Sequence, residues 1–96
     1  MTHPEGTDTA QIIRLAQSFP SIANYIAVKE WDTKLLDSWA AAASEGERLS
    51  VQFVLSVWNQ WEPWECGKFD VIKAKGAWDS KHWSAFENWV KEPFTL

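Results

Sequence analysis

Cysteine, histidine and glycine are too few in this chain to build a recognisable chemical site. Cys66 is the one cysteine among 96 residues, so an internal disulfide framework is excluded. The two histidines, His3 and His82, form no pair four residues apart, and no CxxC motif accompanies them, so a zinc site is not predicted. No glycine-rich phosphate loop is present either. We therefore expect no metal and no cofactor.

Positive charge is also scarce. The chain carries 9 Lys and Arg against 13 Asp and Glu, and the stretch 30–66 holds seven acidic residues against two basic ones, a local balance of −5. The basic stripe that phosphate contacts require is missing, and nothing favours electrostatic docking on anionic lipid. The charge pattern predicts no direct nucleic-acid binding and no membrane binding, and it favours a partner with a basic surface.

Long apolar runs are absent as well. No run approaches the roughly 18 residues of a membrane span. The first residues, MTHPEGTD, lack the basic and apolar regions of a signal peptide. With a single cysteine, these features predict a soluble protein of a reducing compartment, and the cytoplasm is the simplest location.

Tryptophan, in contrast, is abundant, with eight in a chain of one-domain size. Each indole buries on the order of 200 Å², yet tryptophan is rarely buried completely. Some indoles must therefore lie at the rim of a small core. This surplus of aromatic surface predicts self-association, in the simplest case a homodimer.

Apolar residues recur at helical spacing along most of the chain. Residues 1–7 are polar and predicted to be a disordered tail, and 8–96 are predicted to form a single helical domain. The expected fold is all-α, a compact bundle of five or six short helices. The expected helical segments are 8–19, 21–30, 32–43, 44–61, 67–77 and 79–92.

The fourth segment has the clearest signals. Ser44 and Glu47 have the spacing of a capping box, and no charged residue occurs from Leu49 to Trp61. A helix that is apolar nearly all round belongs at the centre of a fold. Pro63 is expected to end it after Trp61. A strand over 49–57 is the competing interpretation, because short apolar runs are ambiguous.

Two stretches 47 residues apart are similar. WDTK at 31–34 matches WDSK at 78–81. The aspartate of each motif is expected to be a helix N-cap, and the tryptophan before it is expected to pack on Leu36 or Trp83 as a hydrophobic staple. We expect two similar helical hairpins flanking the apolar helix, with chance similarity of two amphipathic helices as the alternative.

Catalytic arrangements are weakly indicated. Cys66, His82 and Asp79 could be combined into a nucleophilic set, but nothing in the sequence brings them together. Glu62 and Glu65 resemble a glycosidase carboxylate pair only in being two nearby acids, which are usually just solvated. His82 is expected to be a solvated helix residue. The sequence therefore predicts that the protein is not an enzyme.

The stretch WNQWEPWECG at 58–67 carries the best candidate for a contact surface. Trp58 is expected in the core, Trp64 on the surface beyond the helix, and Trp61 at the junction between them. Exposed indoles are typical of binding hot spots, and neighbouring carboxylates would select a basic partner. The candidate partner-binding residues are Trp61, Glu62, Trp64, Glu65, Asn59 and Gln60.

Three functions compete at this stage. The first is a small non-enzymatic regulator or adaptor that acts by protein–protein contact. The second is an acidic inhibitor of a nucleic-acid-handling machine, of the kind encoded by phage or mobile elements. The third is a protein whose exposed tryptophans stack on a small ligand or a sugar ring.

Overall fold

The computed structural model of the chain describes residues 7–94, and it confirms the all-α prediction with six helices and no strand in that range. Residues 1–6 of the predicted tail lie outside the described part, and Thr7 is the first residue of the first helix. The helices are α1 Thr7–Gln17, α2 Ile26–Lys29, α3 Thr33–Ala41, α4 Glu45–Trp58, α5 Val71–Ala77 and α6 Ser80–Lys91.

Helix α4 is the central element, as its sequence predicts. Every residue from Leu49 to Leu55 is buried, and α1, α3 and α5 pack around the helix. The predicted capping box is present: the Ser44 amide donates to Glu47 Oε1 at 3.2 Å, and the Glu47 amide donates to Ser44 Oγ at 3.5 Å. Burial of so many consecutive residues requires that this part of the helix carry no charge, because an unpaired buried charge would be strongly unfavourable.

The end of α4 differs from the prediction. The helix stops at Trp58 rather than Trp61, and Asn59 follows with extended backbone angles, φ −158 and ψ 95. The Asn59 side-chain oxygen accepts a hydrogen bond from the amide of Trp61 at 3.1 Å. Asparagine side chains compete in this way with helical hydrogen bonds. The helix therefore ends at its C-cap Asn59, whose side chain bonds the Trp61 amide, and not at Pro63.

A cluster of aromatic rings attaches α6 to the central helix. The Phe53 ring of α4 has four aromatic neighbours at centroid distances of 5.1 to 5.7 Å, namely Phe19, Phe69, Phe86 and Trp89. Three of these contacts are tilted or edge-to-face at angles below 70°, and the Trp89 ring is nearly perpendicular at 84°. Such pairs stabilise beyond the area they bury.

The two predicted aspartate caps are confirmed. Asp32 accepts from the Leu35 amide and Asp79 from the His82 amide, each at 3.0 Å, so α3 and α6 begin 47 residues apart. A third cap, Asp70 at the start of α5, was missed by the sequence reasoning.

The segments before the two matching caps are not equivalent. Trp78 has φ −88 and packs edge-to-face on Trp83 at 5.4 Å, as a staple should. Trp31 has φ 46, a left-handed conformation, and packs edge-to-face on Trp58 at 5.2 Å. The matching motifs therefore share helix starts, while the tryptophans that precede them pack on different elements.

The Asp32 cap gives a first test. Asp32→Ala removes the acceptor for the Leu35 amide and is expected to lower the free energy of unfolding by about 0.5–2 kcal/mol. Asp32→Asn, which retains a side-chain acceptor, is expected to lose less. Chemical denaturation of the two variants and the parent chain measures the difference. An alanine variant as stable as the parent would contradict the capping role.

Candidate functional site: the Trp61 loop and groove

The Trp61 loop, residues 59–67 between α4 and α5, is held by side chains from two helices. Both carboxylate oxygens of Asp37 in α3 accept backbone amides of the loop, from Glu65 and Cys66, each at 2.8 Å. The Gln52 amide of α4 donates to the Cys66 carbonyl at 2.6 Å. The peptide groups flanking Cys66 are thus held from both sides, so the loop backbone has a fixed conformation.

Trp64 folds back and Trp61 points outward. The Trp64 ring is half-buried against the core, and its Nε1 donates to the Asn59 carbonyl at 3.0 Å. The Trp61 side chain is 85% exposed. The sequence reasoning favoured Trp64 as the surface indole and left Trp61 at the junction, so the exposure of the two is reversed. The hydrogen bond of Trp64 to Asn59 supplies the reason, because a paired indole N–H can be covered.

Trp58 is only partly buried, whereas the sequence placed it in the core. Its ring packs edge-to-face on Trp31 at the periphery, at a centroid distance of 5.2 Å. The three tryptophans of the stretch 58–67 therefore occupy three environments. Trp58 covers the core from its edge, Trp64 braces the loop, and Trp61 faces solvent.

A groove of about 320 Å³ lies beside Trp61 and is called here the Trp61 groove. Its lining brings together Asn59, Gln60 and Trp61 from the predicted site, whereas Glu62, Trp64 and Glu65 do not line it. No charged side chain lines it. The remaining lining residues are Phe53, Ser56, Val57, Phe69 and Trp89.

The acidic residues of the predicted site, Glu62 and Glu65, lie in the same loop as Trp61 and are exposed to solvent. Within residues 7–94 neither Glu62 nor Glu65 forms an ion pair. Glu65 accepts one long hydrogen bond, 3.5 Å from the Ser38 hydroxyl. These carboxylates are therefore available to a cation from outside the described chain.

Cys66 lies within the loop but is unsuited to nucleophilic chemistry. The thiol is free and buried, and its pKa is raised to about 12, chiefly by burial and further by its hydrogen bond to Asp37 and the negative charge there. Thiols react as thiolates, so a raised pKa makes them inert. Because the folded state favours the neutral thiol, its contribution to stability is present below the ordinary pKa of 9.0 and is lost as pH rises above it.

Thiol labelling tests this environment. At about pH 8 a disulfide reagent is expected to modify Cys66 at least about a hundredfold more slowly in the folded chain than in the unfolded one. Asp37→Ala, which removes the acceptor for two loop amides, should accelerate labelling, whereas Asp37→Asn, which keeps one acceptor, should do so less. Equal labelling rates in folded and unfolded chain would contradict the buried position.

His82 is not the solvated residue that the sequence suggested. Its side chain is 12% exposed and stacks on Trp78 at 6.1 Å. Its Nδ1 lies 2.7 Å from Asp79 Oδ1, and its Nε2 lies 2.9 Å from Ser21 Oγ. Ser21 Oγ is in turn 3.3 Å from the hydroxyl of the buried Ser50. Sequence separations of up to 61 residues hid this network.

The order of carboxylate, imidazole and hydroxyl is that of a nucleophilic triad. An ionised Asp79 only accepts, so Nδ1 of His82 is the donor to it, and in the tautomer protonated at Nδ1 alone Nε2 accepts from Ser21. Two features favour a structural role: Ser21 also contacts Ser50, and neither Ser21 nor His82 lines the Trp61 groove or a second groove between α1 and α6. We interpret the network as a link between α6, the turn after α1, and α4.

Because of this network, the stability of the fold is expected to decrease at acid pH. The hydrogen bonds from His82 lower the pKa of Asp79 below its ordinary value of 3.8. A carboxylate with a lowered pKa contributes stability above the ordinary value and loses it as pH falls through the folded-state pKa. The melting temperature of the parent should therefore exceed that of Asp79→Asn at neutral pH, and the difference should shrink in strong acid.

Asp32→Asn provides the matched control, because Asp32 also caps a helix, through the Leu35 amide, but contacts no histidine within residues 7–94. Thermal unfolding of both variants at neutral and strongly acidic pH measures the effect. A difference between parent and Asp79→Asn that stays constant across the acid range would contradict the stabilisation of the Asp79 carboxylate by its hydrogen bonds from His82.

Within the described residues, no group of three or more His, Cys, Asp or Glu side chains is arranged to hold a metal ion. No helix there has the length and apolar character needed to cross a bilayer. Comparisons with protein-family models, curated proteins and solved structures found no match to this chain.

Proposed function

We propose that this protein acts by contact with another protein and that Trp61 is the anchor of that contact. The observation that carries the proposal is an indole 85% exposed on a loop held by hydrogen bonds. Tryptophan is the residue type most enriched in binding hot spots. A loop already fixed in the free protein has less conformational entropy to lose when it binds.

The carboxylates of Glu62 and Glu65 give the contact its charge preference. Both are exposed on the same loop as Trp61, Glu62 directly after it and Glu65 beyond Trp64, and neither forms an ion pair within residues 7–94. Negative groups at the rim of an interface steer a basic partner toward it and disfavour acidic ones. The partner is therefore proposed to present lysine or arginine beside the surface that receives Trp61.

Trp64, Asn59 and Gln60 have different parts in this proposal. Trp64 and Asn59 brace the loop through the bond from Trp64 Nε1 to the Asn59 carbonyl. Gln60 is exposed and lines the Trp61 groove, so its amide is available to a partner. The contacting set is then Trp61, Glu62, Glu65 and Gln60, on a base formed by the Trp64 ring and the Asn59 backbone.

Substituting the two indoles separates binding from stability. Trp61→Ala removes an exposed side chain and is expected to leave the melting temperature nearly unchanged, while weakening partner binding by about 2 kcal/mol or more. Trp64→Ala should lower the melting temperature, because it removes a packed ring and a hydrogen bond. Thermal unfolding and quantitative affinity capture from the native cell measure the two effects.

Ile72→Ala is the matched control, since Ile72 on α5 is also strongly exposed, at 76%. It should change neither partner capture nor the melting temperature appreciably. Undiminished capture by Trp61→Ala would refute the anchor role, whatever happens with Trp64→Ala.

A further inference from the structure

We infer that the Trp61 groove receives one aromatic side chain with a polar edge, tyrosine or tryptophan, from a lysine- or arginine-bearing segment of the partner. This inference rests on the proposed function and specifies the partner's chemistry. In this arrangement Trp61 projects toward the partner while the partner's ring enters the groove beside it.

The size of the groove limits its occupant. Its volume of about 320 Å³ lies near the lower end of the roughly 300–1,000 Å³ found for small-molecule pockets. A groove of this size accommodates a single ring system with its polar substituent. It is too small to enclose an extended chain of sugar rings or a folded element of a partner.

The lining favours an aromatic ring. Phe53, Phe69 and Trp89 contribute rings. The centroid of the Phe53 ring lies 5.3 Å from that of Phe69 and 5.2 Å from that of Trp89. Val57 adds an aliphatic surface, and no charged side chain is present. Aromatic rings pair favourably with one another in tilted and edge-to-face arrangements. A further ring extends a cluster that already exists.

The polar groups of the groove specify the edge of that ring. The Ser56 hydroxyl donates to the Gln52 carbonyl, so it has lone pairs left to accept. The Asn59 side-chain oxygen accepts from the Trp61 amide, so its NH₂ group is the part left to donate. Gln60 offers both functions. Together these groups match a phenol hydroxyl or an indole N–H better than the edge of phenylalanine, which would leave them unpaired.

The flanking charges specify the neighbours of that ring. The exposed Glu62 follows directly after Trp61, and the exposed Glu65 lies further along the loop, beyond Pro63 and Trp64; neither carboxylate forms an ion pair within residues 7–94. Lysine or arginine next to the inserted aromatic residue would meet them. An acidic segment with the same ring would be repelled, and specificity between the two follows from that difference.

Nuclear magnetic resonance of the indole N–H groups tests the inference on the whole chain with defined probes. The probe is the blocked peptide Lys-Lys-Tyr-Lys-Lys, compared with versions in which alanine or phenylalanine replaces tyrosine or glutamate replaces lysine, and with methyl glucoside. We expect the cationic tyrosine peptide to shift the Trp61 and Trp89 signals saturably while the Trp39 signal stays fixed. Binding by every comparison probe should be at least about tenfold weaker.

Several outcomes would overturn the inference. These are equal binding of the acidic, alanine or phenylalanine peptide, equal or stronger binding of methyl glucoside, and no saturable shift with the tyrosine peptide. A shift of the Trp61 signal on concentrating the protein alone would identify a second copy of the chain as the occupant, which also overturns it.

Two variants distinguish failure of this inference from failure of the proposed function. Ser56→Leu fills the groove and leaves Trp61 in place, and its melting temperature and indole spectrum report whether the fold is kept. Glu62→Gln with Glu65→Gln removes the charges without altering the groove, and should weaken peptide binding at least about tenfold. Loss of partner capture in Trp61→Ala with full capture in a folded Ser56→Leu would refute the groove inference alone. Full capture in Trp61→Ala would refute the proposed function.

Discussion

The hydrogen bond from Gln52 to the carbonyl of Cys66 joins the buried centre of the fold to its candidate contact surface. Gln52 is the one amide side chain within the buried stretch of α4, and a buried amide must find a partner. The loop supplies that partner and is thereby placed. Gly67 is adapted to the close approach: its φ is +94, and a Cβ there would lie 3.2 Å from Gln52 Nε2. Core and loop constrain each other at this point.

Local signals in the sequence predicted the helices that begin with a clear cap. Ser44 with Glu47, Asp32 and Asp79 all act within a single helical turn, so their effect can be read from spacing alone. The end of α4 was predicted wrongly because Pro63 was given more weight than Asn59, although Asn59 is also a local signal. A polar residue that competes for a backbone amide can end a helix before a proline does.

The interactions that shape the site were beyond such reasoning, because they join residues far apart in the chain. Asp37 contacts the loop across 28 and 29 residues, and His82 contacts Ser21 across 61. Nothing in the sequence spacing of Asp37 gives a reason to pair it with loop amides. The choice between Trp61 and Trp64 as the outer indole depends on these contacts, so it could not be made from the sequence.

The two similar halves share the way in which their helices begin, but their helices pack differently. α3 buries Leu36 and Ala40, while the residues 47 positions later in α6 are the half-buried Trp83 and the exposed Glu87. The small side chain of Ala40 lets α3 lie close to α4, whereas α6 covers the core through its rings. The same capping motif is thus used for two different modes of attachment.

The exposure of Trp61 is not a shortage of room for tryptophan in a small core. Trp78 is buried, and the six other tryptophans are partly buried against the core, so the fold finds packing for seven of the eight. Trp61 stays outside because Asn59 ends the helix and Asp37 with Gln52 fixes the loop beyond it. An apolar side chain that ordered contacts hold in water does not stabilise the isolated fold. This side chain would contribute a favourable free energy only if something covered it, and this is the physical basis for proposing that Trp61 makes a contact.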